Sequence, residues 1–257
     1  MNSQVKVFRE LHRQSEPLLL ANVWDVQSAK VFEKQKFKAI GTSSAAVAQT
    51  LGYNDGEEMP FDEYFLMIKR IKASTTIPLT VDLEAGYGKT EDEIVSNIKA
   101  LHELGVVGIN IEDSIVTNSV RTIVSAESFA ERLKKLISRL HEEDIDIFIN
   151  VRCDAFLLNL TDAKNEAIRR TSAYGKTGVH GFFLPCITNV DDIKATTAAT
   201  TLPVNVMCMP NLPGFNVLKT AGVKRISMGP FLNKAVYQRM EELCQQVVEE
   251  QTFSVLF

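Results

Sequence analysis

Apolar segments of strand length alternate with helix-like segments along the chain, and this alternation limits the fold more than any other feature of the sequence. Helical apolar spacing is clear in TEDEIVSNIKALHELG (90–105), where Thr90 and Glu93 have the spacing of a capping box. Eight β-then-α units in about 250 residues predict one parallel (β/α)8 TIM barrel, an α/β fold. The strand candidates are LLLAN (18–22), AIGTS (39–43), LTVDL (79–83), GINIE (108–112), IFINVR (147–152), GFFLP (181–185), VNVMC (204–208) and RISMG (225–229).

A weak internal repeat supports the barrel. The second, fourth, sixth and eighth strand candidates begin alike, with FKAI, GVVGI, GVHGF and GVKRI. The competing fold is an open doubly wound sheet, and the lack of a GxGxxG pattern after the first strand candidate disfavours it. We therefore expect a single (β/α)8 domain over residues 1–257, with an N-terminal helix and a C-terminal helical tail.

Charge and cysteine content limit the partners and the compartment. The net charge is −4 and there is no basic cluster, which argues against nucleic acid as a partner. The sequence has no run of about eighteen apolar residues, so we expect no membrane span, and MNSQVKVFRELHRQ is too polar for a signal peptide. The four cysteines are scattered without CxxC spacing and indicate reduced thiols. These features predict a cytoplasmic protein that binds a small molecule.

Carboxylates collect at the ends of the strand candidates. Asp82 and Glu84 end the third, Glu112 ends the fourth, and Asp55 lies in the loop after the second. The carboxyl ends of parallel barrel strands meet at one mouth, so these four acids are expected to converge. Converging carboxylates either have raised pKa values or bind a hard cation such as Mg²⁺ or Mn²⁺. The alternative is that each acid caps a helix or pairs with a loop lysine.

Other common catalytic patterns are missing from the sequence. There is no GxSxG elbow, no P-loop and no zinc-ligand spacing. His12, His102 and His141 lie on helical segments, and His180 precedes the sixth strand candidate at the end away from the acids. We therefore interpret all four histidines as structural or surface residues.

Four motifs resemble, in order and spacing, those of the phosphoenolpyruvate mutase/isocitrate lyase superfamily: GTSSAAVAQTLGYND, PLTVDLEAGYG, GINIEDS and NVRCDAF. The resemblance has good motifs from about residue 18 to 156 and continues weakly to about residue 239. It implies a (β/α)8 barrel whose C-terminal helix is swapped between subunits, and a homotetramer built as a dimer of dimers. It also implies cleavage or formation of C–C or P–C bonds in 2-oxo acids bound to Mg²⁺.

The resemblance assigns metal-binding roles to the four acids. Asp82 matches the aspartate that binds the metal directly. Glu84, Glu112 and Asp55 match the acids that hold metal-bound waters. The cofactor implied is therefore Mg²⁺, or Mn²⁺ in its place.

The resemblance also assigns the substrate-binding residues. Ser43 matches a serine that contacts the substrate carboxylate together with the backbone N–H groups of Ser44 and Ala45. Arg152 matches an arginine that pairs with the charged group of the substrate, and Asp82 contacts the substrate through the metal. Ser43 and Arg152 are accordingly candidate catalytic residues.

The loop after the fourth strand candidate departs from the superfamily pattern. Lyases acting on isocitrate and methylisocitrate carry K-[KR]-C-G-H there, whereas this chain has EDSIVTNSVRTIVS, so isocitrate-type cleavage by that cysteine is not expected. The mutase and phosphonopyruvate hydrolase place a lysine and an asparagine in this loop; only the asparagine has a counterpart, the candidate catalytic residue Asn118. The acid–base group stays open among Tyr53, Tyr87, Arg121 and Cys186.

We therefore predict a Mg²⁺-dependent lyase or decarboxylase that cleaves a C–C bond of a small 2-oxo or 2-hydroxy dicarboxylate through an enolpyruvate intermediate. One alternative is P–C bond chemistry of the phosphoenolpyruvate mutase or phosphonopyruvate hydrolase type. The other is a catalytically inactive barrel that binds an oxo acid. The apolar C-terminal QTFSVLF, which follows a predicted helix at 231–250, fits either a homo-oligomer contact or packing within the chain.

Overall fold

The centre of the structure, a computed structural model that describes residues 3–257, is a closed barrel of parallel strands. The barrel strands are β1 (Leu18–Val23), β2 (Ile40–Thr42), β3 (Leu79–Asp82), β4 (Gly108–Glu112), β7 (Phe148–Arg152), β8 (Gly181–Leu184), β9 (Val204–Met207) and β10 (Arg225–Ser227). Two more strands, β5 (Ser114–Thr117) and β6 (Val120–Ile123), pair antiparallel with each other outside the barrel. Around the barrel the strands neighbour one another in the order β1-β10-β9-β8-β7-β4-β3-β2. The predicted (β/α)8 barrel is confirmed, and each strand candidate overlaps one barrel strand.

Each barrel strand is followed in the chain by at least one helix, and a further helix, α1, precedes β1. The helices are α1 (Ser3–Leu11), α2 (Val26–Lys34), α3 (Ser44–Leu51), α4 (Phe61–Ala73), α5 (Glu91–Glu103), α6 (Ala126–Glu142), α7 (Ala163–Tyr174), α8 (Val190–Ala198), α9 (Phe215–Thr220) and α10 (Phe231–Glu250). The predicted capping box is present in α5, where Thr90 accepts the Glu93 N–H and Glu93 accepts the Thr90 N–H. Gly105, with a φ of +88°, ends the last turn of this helix in the left-handed conformation that glycine adopts without strain.

The barrel interior is partly polar, whereas the layer between strands and helices is apolar. Inside the barrel, the Asn150 amide donates to Asn110 Oδ1 at 3.0 Å and to Asn205 Oδ1 at 3.2 Å. Gly181 on β8 leaves room for this contact, because a Cβ at that position would lie 2.5 Å from Asn150 Oδ1. Cys153 is fully buried in the apolar layer, as expected for a packing residue.

The C-terminal helix α10 is exposed over most of its length. Asn233 is its one buried residue, and apolar side chains such as Val236 and Met240 lie open on its surface. The chain beyond it adds exposed Phe253 and Phe257. Exposed apolar surface on this scale is typical of a contact with another protein. Within residues 3–257, no helix is long and apolar enough to cross a bilayer.

Candidate active site

Two of the predicted acids meet at the carboxyl end of the barrel through one serine. Ser44, the first residue of α3, has its Oγ 3.0 Å from Asp82 Oδ2 and 3.3 Å from Asp55 Oδ1. Asp82 ends β3, and Asp55 lies in the loop after α3. A hydroxyl has a single proton to donate, so it is shared between the two carboxylates. Ser44 therefore holds together acids that are 27 residues apart in sequence.

Asp82 is held in place from several sides. Its N–H donates to Thr42 Oγ1 at 3.0 Å, and its carbonyl accepts the Tyr64 hydroxyl at 3.0 Å. Asn110 on β4 donates its side-chain amide to Asp82 Oδ1 at 3.2 Å, while Ser44 contacts the other oxygen. The orientation of this carboxylate is therefore set by neighbouring strands and by α3.

Glu84 lies just past β3 and is almost fully buried. Its backbone has a φ of +50°, and its two carboxylate oxygens accept the Glu57 N–H at 2.9 Å and the Tyr87 hydroxyl at 2.6 Å. Burial raises the pKa of Glu84 well above its usual value, and the charges of Asp55 and Glu112 raise it further. Tyr87, one of the acid–base candidates, is thus a donor to one of the predicted metal-site acids.

Glu112 at the end of β4 lies between two guanidinium groups. Arg121 Nη1 binds Glu112 Oε1, and Arg152 Nη1 is 2.8 Å from Glu112 Oε2. Burial raises the pKa of Glu112 to about 7, although both arginines favour the charged form. Burial also raises the pKa of Asp55, with the nearby Asp82 charge as the next cause.

Arg152 lies at the site, but its guanidinium group binds Asp154, a residue that the sequence analysis did not identify. Arg152 Nε and Nη2 donate to the two oxygens of Asp154, at 2.6 and 3.2 Å. Asp154 also accepts the Ser114 hydroxyl at 2.5 Å and lies 3.2 Å from Arg121 Nη1. The sequence offered one indication of this contact. Arg152 and Asp154 are two residues apart at the end of a strand, and residues with that spacing share a face of the strand.

The hairpin β5–β6 takes the place of the loop that departs from the superfamily pattern. Its turn, Asn118–Ser119, has φ values of +51° and +62°, as in the type I′ turns of two-residue hairpins. Val116 packs against Gly56, where a Cβ would lie 2.8 Å from Val116 Cγ2, so the hairpin contacts the loop after α3. This contact places Arg121 among the acids, with Nη2 3.8 Å from Asp55 Oδ2.

Asn118 lies exposed at the tip of that turn. It lines a cavity of about 680 Å³ together with Asp55 and Arg121. A second cavity, of about 260 Å³, is lined by Glu84 and Glu112 under the same hairpin. Asparagine is common at left-handed turn positions for backbone reasons, so a catalytic role for Asn118 stays a prediction.

The residues predicted to bind the substrate carboxylate begin α3. Ser43 caps this helix, and its Oγ accepts the Ala46 N–H at 3.3 Å. Ser44 and Ala45 form the first turn, whose N–H groups have no partner within the helix. A helix N-terminus of this kind attracts anions. The substrate-binding role expected for Ser43, Ser44 and Ala45 stays a prediction.

The remaining acid–base candidates are less well placed. The Tyr53 hydroxyl donates to Glu63 at 2.7 Å, at the exposed side of the loop. Burial raises the pKa of Cys186, while the Arg152 charge opposes that shift. The four histidines line two cavities at the other end of the barrel, the end at which the sequence predicted His180.

The acid cluster of Asp55, Asp82, Glu84 and Glu112 fits a hard cation that keeps water molecules. In the part of the chain that the structure describes, no three acidic, histidine or cysteine side chains are close enough to enclose an ion by themselves. Mg²⁺ commonly binds one or two carboxylates and retains several waters, so this donor set suits it. Burial raises the pKa values of Asp55 and Glu84, and the charges of neighbouring carboxylates raise them further. A divalent cation would relieve this repulsion between the carboxylates.

Comparisons with known proteins agree with the motif resemblance. Residues 8–248 match the family described as phosphoenolpyruvate phosphomutase. The crystal structure of a protein from Burkholderia cenocepacia J2315 with the provisional name phosphonomutase superposes with a TM-score of 0.89 and 35% identity, covering 95% of this chain and 100% of that one.

Two curated relatives are named as lyases or decarboxylases. The 2-methylisocitrate lyase of Escherichia coli (strain K12) is 26% identical over 210 residues, which are 79% of this chain and 69% of that enzyme. Oxaloacetate decarboxylase 2 of Pseudomonas fluorescens (strain Pf0-1) is 26% identical over 248 residues, which are 92% of this chain and 83% of that enzyme.

Proposed function

Because the chain belongs to the phosphoenolpyruvate phosphomutase family, as its motifs predicted, we propose that it is a Mg²⁺-dependent lyase or decarboxylase. The proposed reaction cleaves a C–C bond of a small 2-oxo or 2-hydroxy dicarboxylate through an enolpyruvate intermediate. The observation that carries this proposal is the acid cluster at the barrel mouth, where Ser44 joins Asp55 to Asp82 beside Glu84 and Glu112. The lyase and decarboxylase among the relatives support the same class of reaction.

In this proposal Asp82 holds the cation directly, and Asp55, Glu84 and Glu112 hold its waters. The cation, Mg²⁺ or Mn²⁺, supplies Lewis-acid neutralisation of the charge that develops on the 2-oxo oxygen. The orientation of Asp82 by Ser44 and Asn110 presents one carboxylate in a defined direction, as direct metal ligation requires.

The substrate's own charges are bound by other residues. We place its first carboxylate at the N-terminus of α3, against Ser43 and the N–H groups of Ser44 and Ala45. A second carboxylate is bound by Arg152 and Arg121. A guanidinium has five N–H groups, and three of those of Arg152 already bind Asp154 and Glu112, so two remain for the substrate.

The hairpin β5–β6 forms one side of the proposed site. It brings Arg121 to the acid cluster and covers the cavity lined by Glu84 and Glu112. Covering the site excludes water, which strengthens each charge interaction beneath the hairpin.

P–C bond chemistry is the second candidate. The family description and the relative from Burkholderia cenocepacia favour it. In that case Asn118 is the candidate catalytic residue retained in the hairpin, and Arg121 and Arg152 bind a phosphonate in place of a second carboxylate. The missing loop lysine counts against phosphoryl transfer by the mutase route.

We also propose a homo-oligomer, with α10 packed on a second copy in a dimer of dimers. The exposed apolar side chains of α10 support this assembly. The four free cysteines fit a cytoplasmic location. Light scattering of the purified chain tests the assembly, since a monomer at micromolar concentration would contradict it.

The activity is tested with a small panel of acids. Oxaloacetate, 2-methylmalate-type acids and phosphonopyruvate are supplied separately, and pyruvate release is followed with lactate dehydrogenase and NADH. We expect turnover that EDTA abolishes and Mn²⁺ restores, with Asp82→Asn inactive and the exposed Asp62→Asn as active as the wild type. Turnover in EDTA refutes the mechanism. Tight oxalate binding with neither pyruvate release from any acid nor phosphoenolpyruvate formation from phosphonopyruvate indicates the inactive oxo-acid-binding barrel.

A further inference from the structure

Arg225 is a fully buried arginine in the barrel interior for which the proposed reaction has no use. It lies on β10 with 1% of its surface exposed. Its Nη2 is 3.4 Å from Asn110 Oδ1 on β4, and three strands separate β10 from β4 around the barrel. The contact therefore crosses the barrel interior. Arg225 Nε and Nη1 have no hydrogen-bond partner within residues 3–257.

The contact with Arg225 decides which way the Asn110 amide faces. Asn110 Oδ1 accepts from Arg225 and also from Asn150, at 3.0 Å. Reversing the amide would turn its NH₂ group toward two donors, which cannot hydrogen-bond to it. The Nδ2 atom must therefore face the other way, toward Asp82 Oδ1 at 3.2 Å.

Charge acts along the same line of contacts. A buried guanidinium is costly unless an anion compensates it. Burial lowers the pKa of Arg225 to about 9, and the Asp82 carboxylate opposes that shift. A charged donor on Asn110 Oδ1 polarises the amide and strengthens its hydrogen bond to Asp82.

We propose that Arg225 is a positioning residue that acts through Asn110 to orient the Asp82 carboxylate for a divalent cation. The inference rests on the proposed function, because it takes Asp82 as the direct metal ligand. Arg225 itself touches neither the cation nor the substrate. Arg225 would act like the residues that orient metal ligands in other proteins. Replacing such a residue typically weakens metal binding by about 10- to 100-fold.

The test measures Mn²⁺ binding by titration calorimetry, without substrate, alongside the melting temperature. Arg225→Gln is expected to weaken Mn²⁺ binding by roughly 10- to 100-fold, and Arg225→Lys by less, because it keeps the charge. Asn110→Ala is expected to weaken Mn²⁺ binding as much as Arg225→Gln does. The double variant is expected to bind Mn²⁺ no more weakly than Asn110→Ala alone, because Arg225 acts through Asn110. The control is Ile226→Ala, which alters the helix-facing side of the same strand and is expected to lower stability without changing the Mn²⁺ dissociation constant.

The outcomes separate this inference from the proposed function. If the wild type binds neither Mn²⁺ nor Mg²⁺, the proposed metal site fails and the role of Arg225 fails with it. If the wild type binds Mn²⁺ and Arg225→Gln binds it equally well, only the positioning role is overturned. If Arg225→Gln does not fold, Asn110→Ala decides: wild-type affinity in that variant overturns the proposal.

Discussion

The ion pair between Arg170 on α7 and Asp113 gives a sharp test of how the mouth is supported. Arg170 Nη1 is 2.8 Å from Asp113 Oδ2, with 2% and 0% of the two side chains exposed. Tyr174 donates to the same carboxylate at 2.8 Å, and Asp113 Oδ1 accepts the Asp154 N–H at 3.0 Å. Replacing Arg170 by methionine leaves Asp113 buried without its counter-charge.

The size of the effect follows from that burial. Removing one partner of a buried ion pair costs about 3–5 kcal/mol, because the other charge remains desolvated. For a chain of this size, about 4 kcal/mol corresponds to a fall in melting temperature of roughly 8–16 °C. The neighbouring Arg169 is the matched control, because 48% of its side chain is exposed and its partners Glu127 and Glu166 are 75% and 22% exposed. Arg169→Met is therefore expected to cost at most about 1 kcal/mol.

The loss of unfolding free energy in Arg170→Met should be larger at high pH than at low pH. Burial already raises the pKa of Asp113 in the folded chain, against the Arg170 charge, so removing Arg170 raises it further. When the pKa of Asp113 is higher in the folded than in the unfolded chain, its protonated form stabilises the folded state at low pH, and this stabilisation is lost as pH rises. The loss of unfolding free energy in Arg170→Met is therefore larger at pH 8 than at pH 5. Guanidinium unfolding followed by circular dichroism measures it. Equal losses in the Arg170 and Arg169 variants, or equal losses at both pH values, would refute the reasoning.

Three further results are expected. Gly181→Ala should destabilise the fold by about 1–3 kcal/mol, because the new Cβ meets Asn150 Oδ1 at 2.5 Å; an unchanged melting temperature would contradict this. In EDTA, stability should fall as pH rises from about 4.5 to 7, because burial raises the pKa of Glu112 from an ordinary 4.5 to about 7, a contribution of roughly 3 kcal/mol. Mg²⁺ should therefore raise the melting temperature more at pH 8 than at pH 5.5, and an equal rise at both pH values would contradict this. Arg121→Gln should raise KM for a dicarboxylate more than it lowers kcat, and unchanged steady-state kinetics would remove Arg121 from the substrate site.

The hairpin shows why one element at the site escaped prediction. SIVT and VRTI are short and alternate in burial, and a two-stranded hairpin of this length is marginal by itself. Its packing against the loop at Gly56 is a contact 60 residues apart in sequence, between Gly56 and Val116. Nothing local in EDSIVTNSVRTIVS shows that Arg121 reaches Glu112.

The partners of the predicted residues were also beyond sequence reasoning. Arg152 was expected at the carboxyl end of the barrel and lies there, but its guanidinium group binds Asp154. Asn110 and Arg225 read as strand residues, and their contact depends on which strands face each other across a closed barrel. Chain spacing gives no information on that.

By itself, the sequence determined the barrel and the end at which the acids gather. Both follow from local patterns, since buried strand-length runs alternate with amphipathic helices and the acids sit at the carboxyl ends of those runs. Only the tertiary structure decided which charges pair and which carboxylates repel, as in the placement of Glu112 between Arg121 and Arg152. The physical reason is that ion pairing and pKa depend on burial and on distances of a few ångströms between side chains from different strands, and chain closure sets both.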